Sequence, residues 1–406
     1  MVALIGVLLL LGAAPAVAQD AGEAVRRDSP FDGNAATTER IGAESVRAQA
    51  IAISAARFAD GGAVHVVVSR DDVFADSLAG TALLRDGPLL LVAPNGVPSE
   101  TLAELTRVLP QGGRVYLLGG ANAIAPAFEL QLVNLGYDVQ RLAGASRVET
   151  SVAVAREVLR INPDAPDLVI ARADAPEGNP TAAWADSVAV GGWTAWTRSP
   201  IVLTPSAGVH PAVAVLVQTM APSRTVLLGG TAALSPAVEQ AMPNPQRLAG
   251  ANRADTAVVI ARDLWPGEAQ RYAVINGYDP DGWAHGLPAA GLSADAQAPL
   301  LVAQAGSVPQ ETLRVVSPAC GAAAPVDVLV LGGEAQLNAH LVPQLDGSDP
   351  SACAAAPACH QSYPDFCVAP PPPDLNCGDI ADTNFTVLPP DPHDFDGNQD
   401  GVGCES

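Results

Sequence analysis

Oxygen-bearing side chains recur at alternate positions near the C-terminus, at Asp396, Asn398 and Asp400. Gly401 follows directly, and glycine permits the bend that a tight ligand loop requires. This spacing is the first half of an EF-hand loop, which surrounds Ca²⁺ with hard oxygen ligands. Because the side chains at these positions offer oxygens and not thiolates, the pattern favours calcium over zinc.

Two further groups complete the predicted calcium site, the carboxylate of Glu405 and the backbone carbonyl of Val402. Glu405 lies at loop position ten, whereas the bidentate acid of an EF-hand lies at position twelve. A solvated acidic terminus is the alternative explanation of the same residues.

A second candidate site contains two aspartates at equivalent positions of a repeated segment. Asp76 and Asp186 each lie two residues after an aromatic side chain, and the third copy has His285 instead. In a parallel α/β sheet this loop lies beyond the carboxyl end of a strand, where ligands collect. The alternative is that the aspartate caps the following helix. A catalytic acid would not be replaced by histidine in an equivalent site, so the pattern favours binding over catalysis.

Arginines recur at the ends of the repeated segments. The planar guanidinium group suits phosphate or carboxylate groups of a polymer. Ion pairing between modules, with Glu149 or Asp255, is the alternative role. The four predicted polymer-binding arginines are Arg141, Arg147, Arg247 and Arg253.

The sequence lacks the common signatures of an enzyme. It contains no H-E-x-x-H, G-x-S-x-G or P-loop motif, and its histidines lie in unrelated contexts. Its glycine pairs do not form the G-x-G-x-x-G pattern of dinucleotide binding. No nucleophilic or nucleotide-dependent chemistry is therefore predicted.

The candidate residues belong to a segment that occurs three times. Each copy contains a short apolar run that ends in two glycines, and the first glycines lie 110 and 103 residues apart. This spacing is the length of a small domain. Apolar runs without polar alternation are typical of strands covered on both faces, so each copy is predicted to be an α/β module with a parallel sheet. The runs are Arg114–Gly120, Thr225–Gly230 and Val328–Gly333.

The predicted modules are residues 38–144, 145–250 and 251–353. Related boundary segments, which begin at Arg141 and Arg247, span the ends of the first two modules, whereas the third module lacks one at its end. The similar segment at Arg40 is therefore predicted to complete the third module in space, which would close the modules into a ring. An open row of three modules is the alternative.

Residues 1–18 are predicted to be a secretory signal peptide. The run is apolar and ends in Ala16-Val17-Ala18, which is an A-x-A cleavage pattern. It lacks the usual basic residues, so an uncleaved anchor is the alternative. No other stretch is apolar and long enough to cross a bilayer. A secreted protein without a membrane span is expected after cleavage, with residues 19–37 as a linker.

The charge of the chain argues against nucleic acid as a partner. The formal net charge is −22, and all 21 basic residues are arginines. Residues 315–406 hold 13 acidic residues and no arginine. Because binding to duplex nucleic acid needs a basic surface that neutralises phosphates, this class of partner is excluded.

All six cysteines lie in the last quarter of the chain, as expected of disulfides in an exported protein. Fifteen pairings are possible. Sequential pairing is favoured, because the second pair flanks a short loop and the third brackets a compact acidic segment. The predicted pairs are Cys320 with Cys353, Cys359 with Cys367, and Cys377 with Cys404.

The combined landmarks of residues 38–345 resemble the cell wall binding repeat 2 family, whose modules occur in threes on secreted surface proteins of Gram-positive bacteria. The resemblance implies three Toprim-like parallel-sheet modules in a pseudo-threefold arrangement. It also implies non-covalent attachment to an anionic cell wall polymer or peptidoglycan. His285 and the segment at Arg40 depart from the pattern, which places equal binding by the three copies in question.

The tail, residues 374–406, resembles the Excalibur domain, a small extracellular calcium-binding module. A Pro-rich linker, residues 354–373, precedes it. The expected protein is thus a secreted, non-enzymatic surface protein with a calcium-binding tail. The alternative is a secreted cell-wall hydrolase with its site at the Asp76 and Asp186 loops.

Overall fold

The computed structural model describes residues 24–31, 37–94, 96, 98–176, 179–353, 360, 362–363, 368, 370–371, 374–377, 380 and 384–405. The predicted signal peptide lies outside the described residues, and so do Cys359 and Cys367. Within these ranges, no helix combines the length and apolarity that crossing a membrane requires.

Strands and helices alternate along most of the described chain, as the sequence predicts. The strands are β1 (Thr38–Ile41), β2 (His65–Arg70), β3 (Leu89–Val92), β4 (Arg114–Leu118), β5 (Asp138–Leu142), β6 (Asp167–Arg172), β7 (Ile201–Thr204), β8 (Arg224–Leu228), β9 (Pro245–Leu248), β10 (Arg271–Asn276), β11 (Leu300–Ala303), β12 (Asp327–Leu331), β13 (Phe385–Thr386) and β14 (Val402–Gly403). The helices are α1 (Val46–Arg57), α2 (Phe74–Gly80), α3 (Ser99–Val108), α4 (Pro126–Asn134), α5 (Arg147–Ile161), α6 (Gly191–Thr197), α7 (Pro211–Met220), α8 (Pro236–Gln240), α9 (Arg253–Leu264), α10 (Gly282–Gly286), α11 (Ala290–Ala296), α12 (Gln310–Val316) and α13 (Val342–Leu345).

Twelve of these strands form three parallel four-stranded sheets. The strand orders are β3-β2-β4-β5, β7-β6-β8-β9 and β11-β10-β12-β1. The inner strands have apolar side chains on both faces because helices cover both sides of a parallel sheet. Burial extends to the edge strands β3, β7 and β11, in which every residue is buried. The predicted α/β modules with parallel sheets are therefore confirmed, whereas the Toprim-like description stays a prediction.

The first strand of the chain belongs to the sheet of the third module. β1 pairs with β12 in parallel register, with Thr38 opposite Val328 and Ile41 opposite Leu331. In the other two sheets this edge position is taken by β5 and β9. The prediction that the segment at Arg40 completes the third module is thus confirmed. A pseudo-threefold relation of the modules stays a prediction.

One hydrophobic cluster runs through all three modules. Gly191 at the start of α6 lies close to Thr81 of the first module and Ala290 of the third. The next residue, Gly192, has no room for a side chain, because a Cβ there would collide with Ser293 of α11. The two glycines thus let helices of different modules pack closely, and burial of apolar surface holds the modules together.

A network of charged side chains also joins the modules. The buried guanidinium of Arg57 on α1 donates to Asp295 of the third module at 2.7 Å and to the carbonyl of Leu84 at 2.6 Å. Arg26, in the segment before β1, donates to the same Asp295 carboxylate at 2.9 Å. Arg198 of the second module pairs with an acid of the first module. Buried charges of this kind need such partners, because an unpaired charge is strongly unfavourable inside a protein.

Two of the predicted disulfides are present. Cys320 is bonded to Cys353, and Cys377 is bonded to Cys404. The predicted bond between Cys359 and Cys367 falls outside the described residues.

The tail has a small core of its own. β13 and β14 form an antiparallel pair, and Phe385 and Phe395 meet edge to face at 5.6 Å between ring centroids. Tyr363 and Val368, which lie in the predicted Pro-rich linker, are also buried in this cluster. The folded part of the tail therefore includes residues upstream of the predicted boundary at Asp374.

Candidate functional site

Asp76 lies at the carboxyl end of the first sheet, in the first turn of α2. Its side chain is only 9% exposed and packs against the turn that follows β4. A Cβ at Gly119 would lie 2.6 Å from the Asp76 carboxylate, and Gly119 has a φ of +101°. Both its conformation and the lack of space require glycine there. Val73, and not Asp76, is the N-cap residue of α2, so the alternative role of Asp76 as a helix cap is wrong.

Asp186 has the equivalent position in the second module. A Cβ at Gly229, in the turn after β8, would lie 2.5 Å from its carboxylate. The side chain of Thr256, on α9 of the third module, acts on the Asp186 carboxyl and lowers its pKa. The carboxylate therefore lies where two modules meet.

Burial raises the pKa of both aspartates above the ordinary range of a carboxyl group. Arginines oppose this rise. They are Arg70 and Arg147 around Asp76, and Arg253 and Arg172 around Asp186. In each pair one arginine ends a strand of the aspartate's own module, and the other begins the first helix of the next module. Each site is thus a buried carboxylate facing two cations across a module junction.

The arginines that begin α5 and α9 also hold the following strand of their own module. Arg147 donates to the carbonyl of Ala173 at 2.8 Å, just beyond β6. Arg253 donates to the carbonyl of Gly277 at 2.6 Å, just beyond β10, and lies over the ring of Tyr278. Both side chains are only partly buried. They therefore combine a fixed position with access to solvent at the junction.

Arg141 and Arg247 have a different environment from the one predicted. Arg141 donates to the carbonyls of Gly119 and Gly120 at 2.8 and 3.2 Å, and Arg247 makes the same pair of bonds at the second glycine turn. Each also forms an ion pair, with Glu129 and Glu239 respectively, both at 2.9 Å. The predicted pairing with Glu149 or Asp255 is therefore replaced by pairing with these two acids, inside a module. A role for Arg141 and Arg247 in polymer binding stays a prediction.

The boundary segments contain a further repeated contact, made by side chains for which the sequence predicted no role. Thr150 accepts a hydrogen bond from the amide of Gly144 at 3.1 Å, and Thr256 accepts one from Gly250 at 3.0 Å. Gln49 accepts the equivalent bond in the first segment. Recurrence of a hydrogen-bonding side chain at a fixed distance from the boundary arginine is the signal that could have found these residues.

The third junction differs from the other two at the buried acid and at both arginines that act on it. His285 replaces the aspartate and is 1% exposed, and burial lowers the pKa of its imidazole. Asn276 ends β10 where the other modules have arginine, and Val46 begins α1 where α5 and α9 begin with arginine. A neutral imidazole needs no cation beside it, so the loss of the acid is matched by the loss of both arginines.

The predicted calcium ligands lie close together in the tail loop. The Asp396 carboxylate accepts hydrogen bonds from the amides of Asp400 and Gly401 at 3.1 and 2.7 Å. The Asn398 amide donates to Asp400 at 3.1 Å and to Glu405 at 2.8 Å. Gly401 has a φ of +91°, which fits its predicted place at the bend.

The loop fits a hard cation by the type of its donors, which are carboxylate and amide oxygens. Its fifth predicted ligand, Val402, lies on β14 opposite Thr386. Across the part of the chain that the structure describes, however, no three His, Cys, Asp or Glu side chains are grouped closely enough to hold a metal ion. The loop is thus folded around its own hydrogen bonds rather than arranged as a preformed cluster of carboxylates.

The repeated segments match a known family. The family described as cell wall binding domain 2 (CWB2) matches residues 40–129, 141–239 and 247–342. Each matched unit begins at or next to a boundary arginine, and together the units cover most of the chain.

Solved structures and other proteins share this similarity. Cwp8 from Clostridium difficile has a TM-score of 0.66 and 24% identity over 77% of this chain and 52% of its own, and Cwp6 from the same organism has a TM-score of 0.65 and 20% identity over 79% and 50%. N-acetylmuramoyl-L-alanine amidase LytC of Bacillus subtilis is 26% identical over 246 residues, which are 60% of this chain and 47% of LytC. An uncharacterized protein of Pyrococcus abyssi is 26% identical over 40% of this chain and 47% of its own length. The chain thus spans about half the length of these relatives.

Proposed function

The chain belongs to the cell wall binding domain 2 family, and from this premise we propose that it is an exported, non-enzymatic protein that attaches to an anionic polymer of the cell wall. The proposed contact surfaces are the first junction, which contains Asp76, Gly119 and Arg147, and the second junction, which contains Asp186, Gly229 and Arg253. The predicted signal sequence supports export to the cell surface.

The observation that carries this proposal occurs at both junctions. A partly exposed arginine acts on an aspartate that packs against a glycine turn, and the second glycine of that turn has free space. A Cβ at Gly120 or at Gly230 would have no atom within 4 Å, so both turns are open to a ligand. Guanidinium groups bind phosphate and carboxylate through paired hydrogen bonds, which are the acidic groups expected on a wall polymer. The rest of the chain is strongly acidic, so the attraction must be local to these arginines.

The surroundings of the aspartates support binding rather than hydrolysis. A glycoside hydrolase uses two carboxyl groups about 5–10 Å apart. The charged groups that act on the pKa of Asp76 and Asp186 are arginines, which favour the ionised carboxylate over the protonated general acid that such an enzyme also needs. The third copy has a buried histidine at the same position. The similarity to the LytC amidase extends over less than half of that protein, so it does not transfer an activity.

Retention of the full chain on purified cell walls tests the proposal. We expect the variant Arg147→Ala/Arg253→Ala to bind on the order of tenfold more weakly than the parent, because each lost charged hydrogen bond contributes about 1.5–3 kcal/mol before solvent screening. Retention of the parent should fall as salt rises, and the double variant should depend less on salt.

The matched control removes two exposed arginines that pair with neighbours on their own helices, Arg160→Ala/Arg262→Ala. It should bind like the parent. Equal losses in both double variants would show that only total charge matters, and would contradict a specific role of the junctions. Release of sugar or peptide from the walls, abolished by Asp76→Asn/Asp186→Asn, would instead establish the hydrolase.

We further propose that the tail binds calcium as an Excalibur domain. Asp396, Asn398, Asp400 and Glu405 would supply side-chain oxygens and Val402 its carbonyl. The bound cation would compensate the negative charge of an acidic loop and tie its residues together. The support is the donor type, the glycine bend and the disulfide between Cys377 and Cys404, which encloses the loop.

A further inference from the structure

The second glycine of the repeated turn is open at two junctions and covered at the third. A Cβ at Gly333 would lie 2.6 Å from the Glu44 carboxyl carbon and 3.0 Å from one of its oxygens. The three atoms nearest to this Cβ position all belong to the Glu44 carboxylate. The Glu44 carboxylate therefore covers Gly333, whereas the equivalent glycines Gly120 and Gly230 are uncovered.

Glu44 is specific to the first boundary segment. It lies one residue before the N-cap of α1, where the other two segments have Ala145 and Ala251. Both alanines are exposed, so neither fills its junction. The amino acid at this one position thus separates the covered turn from the two open ones.

The charges near the covered turn also differ, although Arg40 holds its carbonyls as Arg141 and Arg247 hold those of the open turns. The open junctions each offer two arginines around a buried carboxylate. At the third junction those arginines are absent, and the acids Asp279, Asp281 and Glu44 act on His285 instead. An anionic ligand would meet attraction at the first two junctions and repulsion at the third.

We propose that Glu44 is a built-in anionic cap that excludes the wall polymer from the third junction, so that the chain presents two binding junctions instead of three. The side chain brings to the turn the same chemical group, a carboxylate, that the polymer would bring. This inference rests on the proposed function, since it assumes that the junctions are the contact surfaces.

Transferring the cap to the open junctions tests the proposal. We expect Ala145→Glu/Ala251→Glu to reduce retention of the full chain on purified walls on the order of tenfold, as loss of both sites removes the multivalent attachment. The matched control, Gln111→Glu/Gln218→Glu, adds two charges at exposed positions of the first two modules, away from the glycine turns. It should reduce retention much less.

Removing the cap gives the opposite test. Glu44→Ala/Val46→Arg, which removes the cap and supplies the arginine that begins α5 and α9, should tighten retention on the order of threefold by opening one more junction. Glu334→Ala/Val46→Arg, which keeps the cap and removes an exposed acid next to the same turn, should not. Thermal unfolding of each variant shows whether the fold is preserved.

The outcomes separate the two proposals. If Arg147→Ala/Arg253→Ala weakens retention but the glutamate variants behave like their charge controls, the cap is refuted and the binding junctions stand. If the arginine variant retains full binding, the proposed contact surfaces themselves are wrong.

Discussion

Arg253, the first residue of α9, acts across the second junction on Asp186 and opposes the rise that burial imposes on the pKa of this aspartate. The two residues belong to different modules, and Thr256, one turn further along α9, also lowers the pKa of this carboxyl. The same helix start therefore supplies two side chains that favour the ionised form of the buried acid of the preceding module. The second junction thus contributes to stability and is also a proposed contact surface.

The raised pKa of Asp186 predicts how stability depends on pH. In the unfolded chain the carboxyl titrates near 3.9, the ordinary value for aspartate. Since its folded pKa is higher, the native state binds more protons between the two values, and stability falls as the pH rises through this window. Asp186→Asn should therefore be more stable than the parent at pH 7, by on the order of 1 kcal/mol, and equal to it below about pH 4. Urea unfolding at the two pH values measures this.

The exposed Asp164→Asn serves as the control, and its stability should match the parent at both pH values. A loss of stability of Asp186→Asn at pH 7 would show that attraction to Arg253 outweighs the burial of the charge.

The buried Arg57 is expected to be essential for holding the first and third modules together. Arg57→Ala would leave Asp295 without its 2.7 Å partner and would free the carbonyl of Leu84. Asp295 is exposed and keeps its hydrogen bond from Arg26, so the loss falls on the buried carbonyl of Leu84, and the free energy of unfolding should fall by about 1–3 kcal/mol. Denaturant unfolding checks the value. Arg262→Ala, at an exposed pair, should change stability by less than about 1 kcal/mol, and a similar loss in both variants would contradict the prediction.

Closure of the third sheet by β1 depends on Arg40. Its guanidinium donates to the carbonyls of Gly332 and Gly333 at 2.7 and 3.3 Å. Arg40→Ala should reduce stability by about 1–3 kcal/mol, because two acceptors lose a charged donor. Hydrogen exchange should accelerate first in β1 and β12. The neighbouring Glu39→Ala, with an exposed side chain, should leave exchange unchanged, and protection of β1 that survives in Arg40→Ala would contradict this role.

Calcium binding by the tail can be measured on the full chain by titration calorimetry. An extracellular module typically binds with a dissociation constant of about 10⁻⁴ to 10⁻³ M. Asp396→Asn/Asp400→Asn should abolish the binding heat, since each change removes a negative ligand. Asp394→Asn, an exposed acid beside the loop, is the matched control and should bind like the parent. No calcium heat from the parent at millimolar ion and neutral pH would leave the tail as an acidic terminus.

The disulfide of the tail should assist the ion. Cys377→Ser/Cys404→Ser removes a cross-link that encloses the loop, and such a cross-link typically contributes about 2–4 kcal/mol to folding. We expect weaker calcium binding from this variant, because part of the binding energy must then order the loop. Cys320→Ser/Cys353→Ser, which opens the bridge in the third module, should bind calcium like the parent. Equal affinity in the two variants would show that ion and tail disulfide are independent.

Much of the fold could be predicted from the sequence because its signals are local. Apolar runs ending in paired glycines identified the inner strands, and the recurrence of the boundary segments identified the modules. The missing boundary segment after β12 also predicted that the segment at Arg40 would complete the third sheet. Each inference needed only residue types and spacing along one stretch of chain.

The arrangement of the junctions was decided by the tertiary structure. Repetition marked Arg141 and Arg147 equally, but only the packing shows that Arg141 is engaged with the glycine turn whereas Arg147 faces the preceding module. Likewise, the sequence contained Glu44 and Gly333 almost 290 residues apart, and no periodicity connects them. Their meeting follows from the pairing of β1 with β12. A hydrogen bond or a charge interaction depends on distances of a few ångströms, and for residues far apart in the chain those distances are set by how the modules dock.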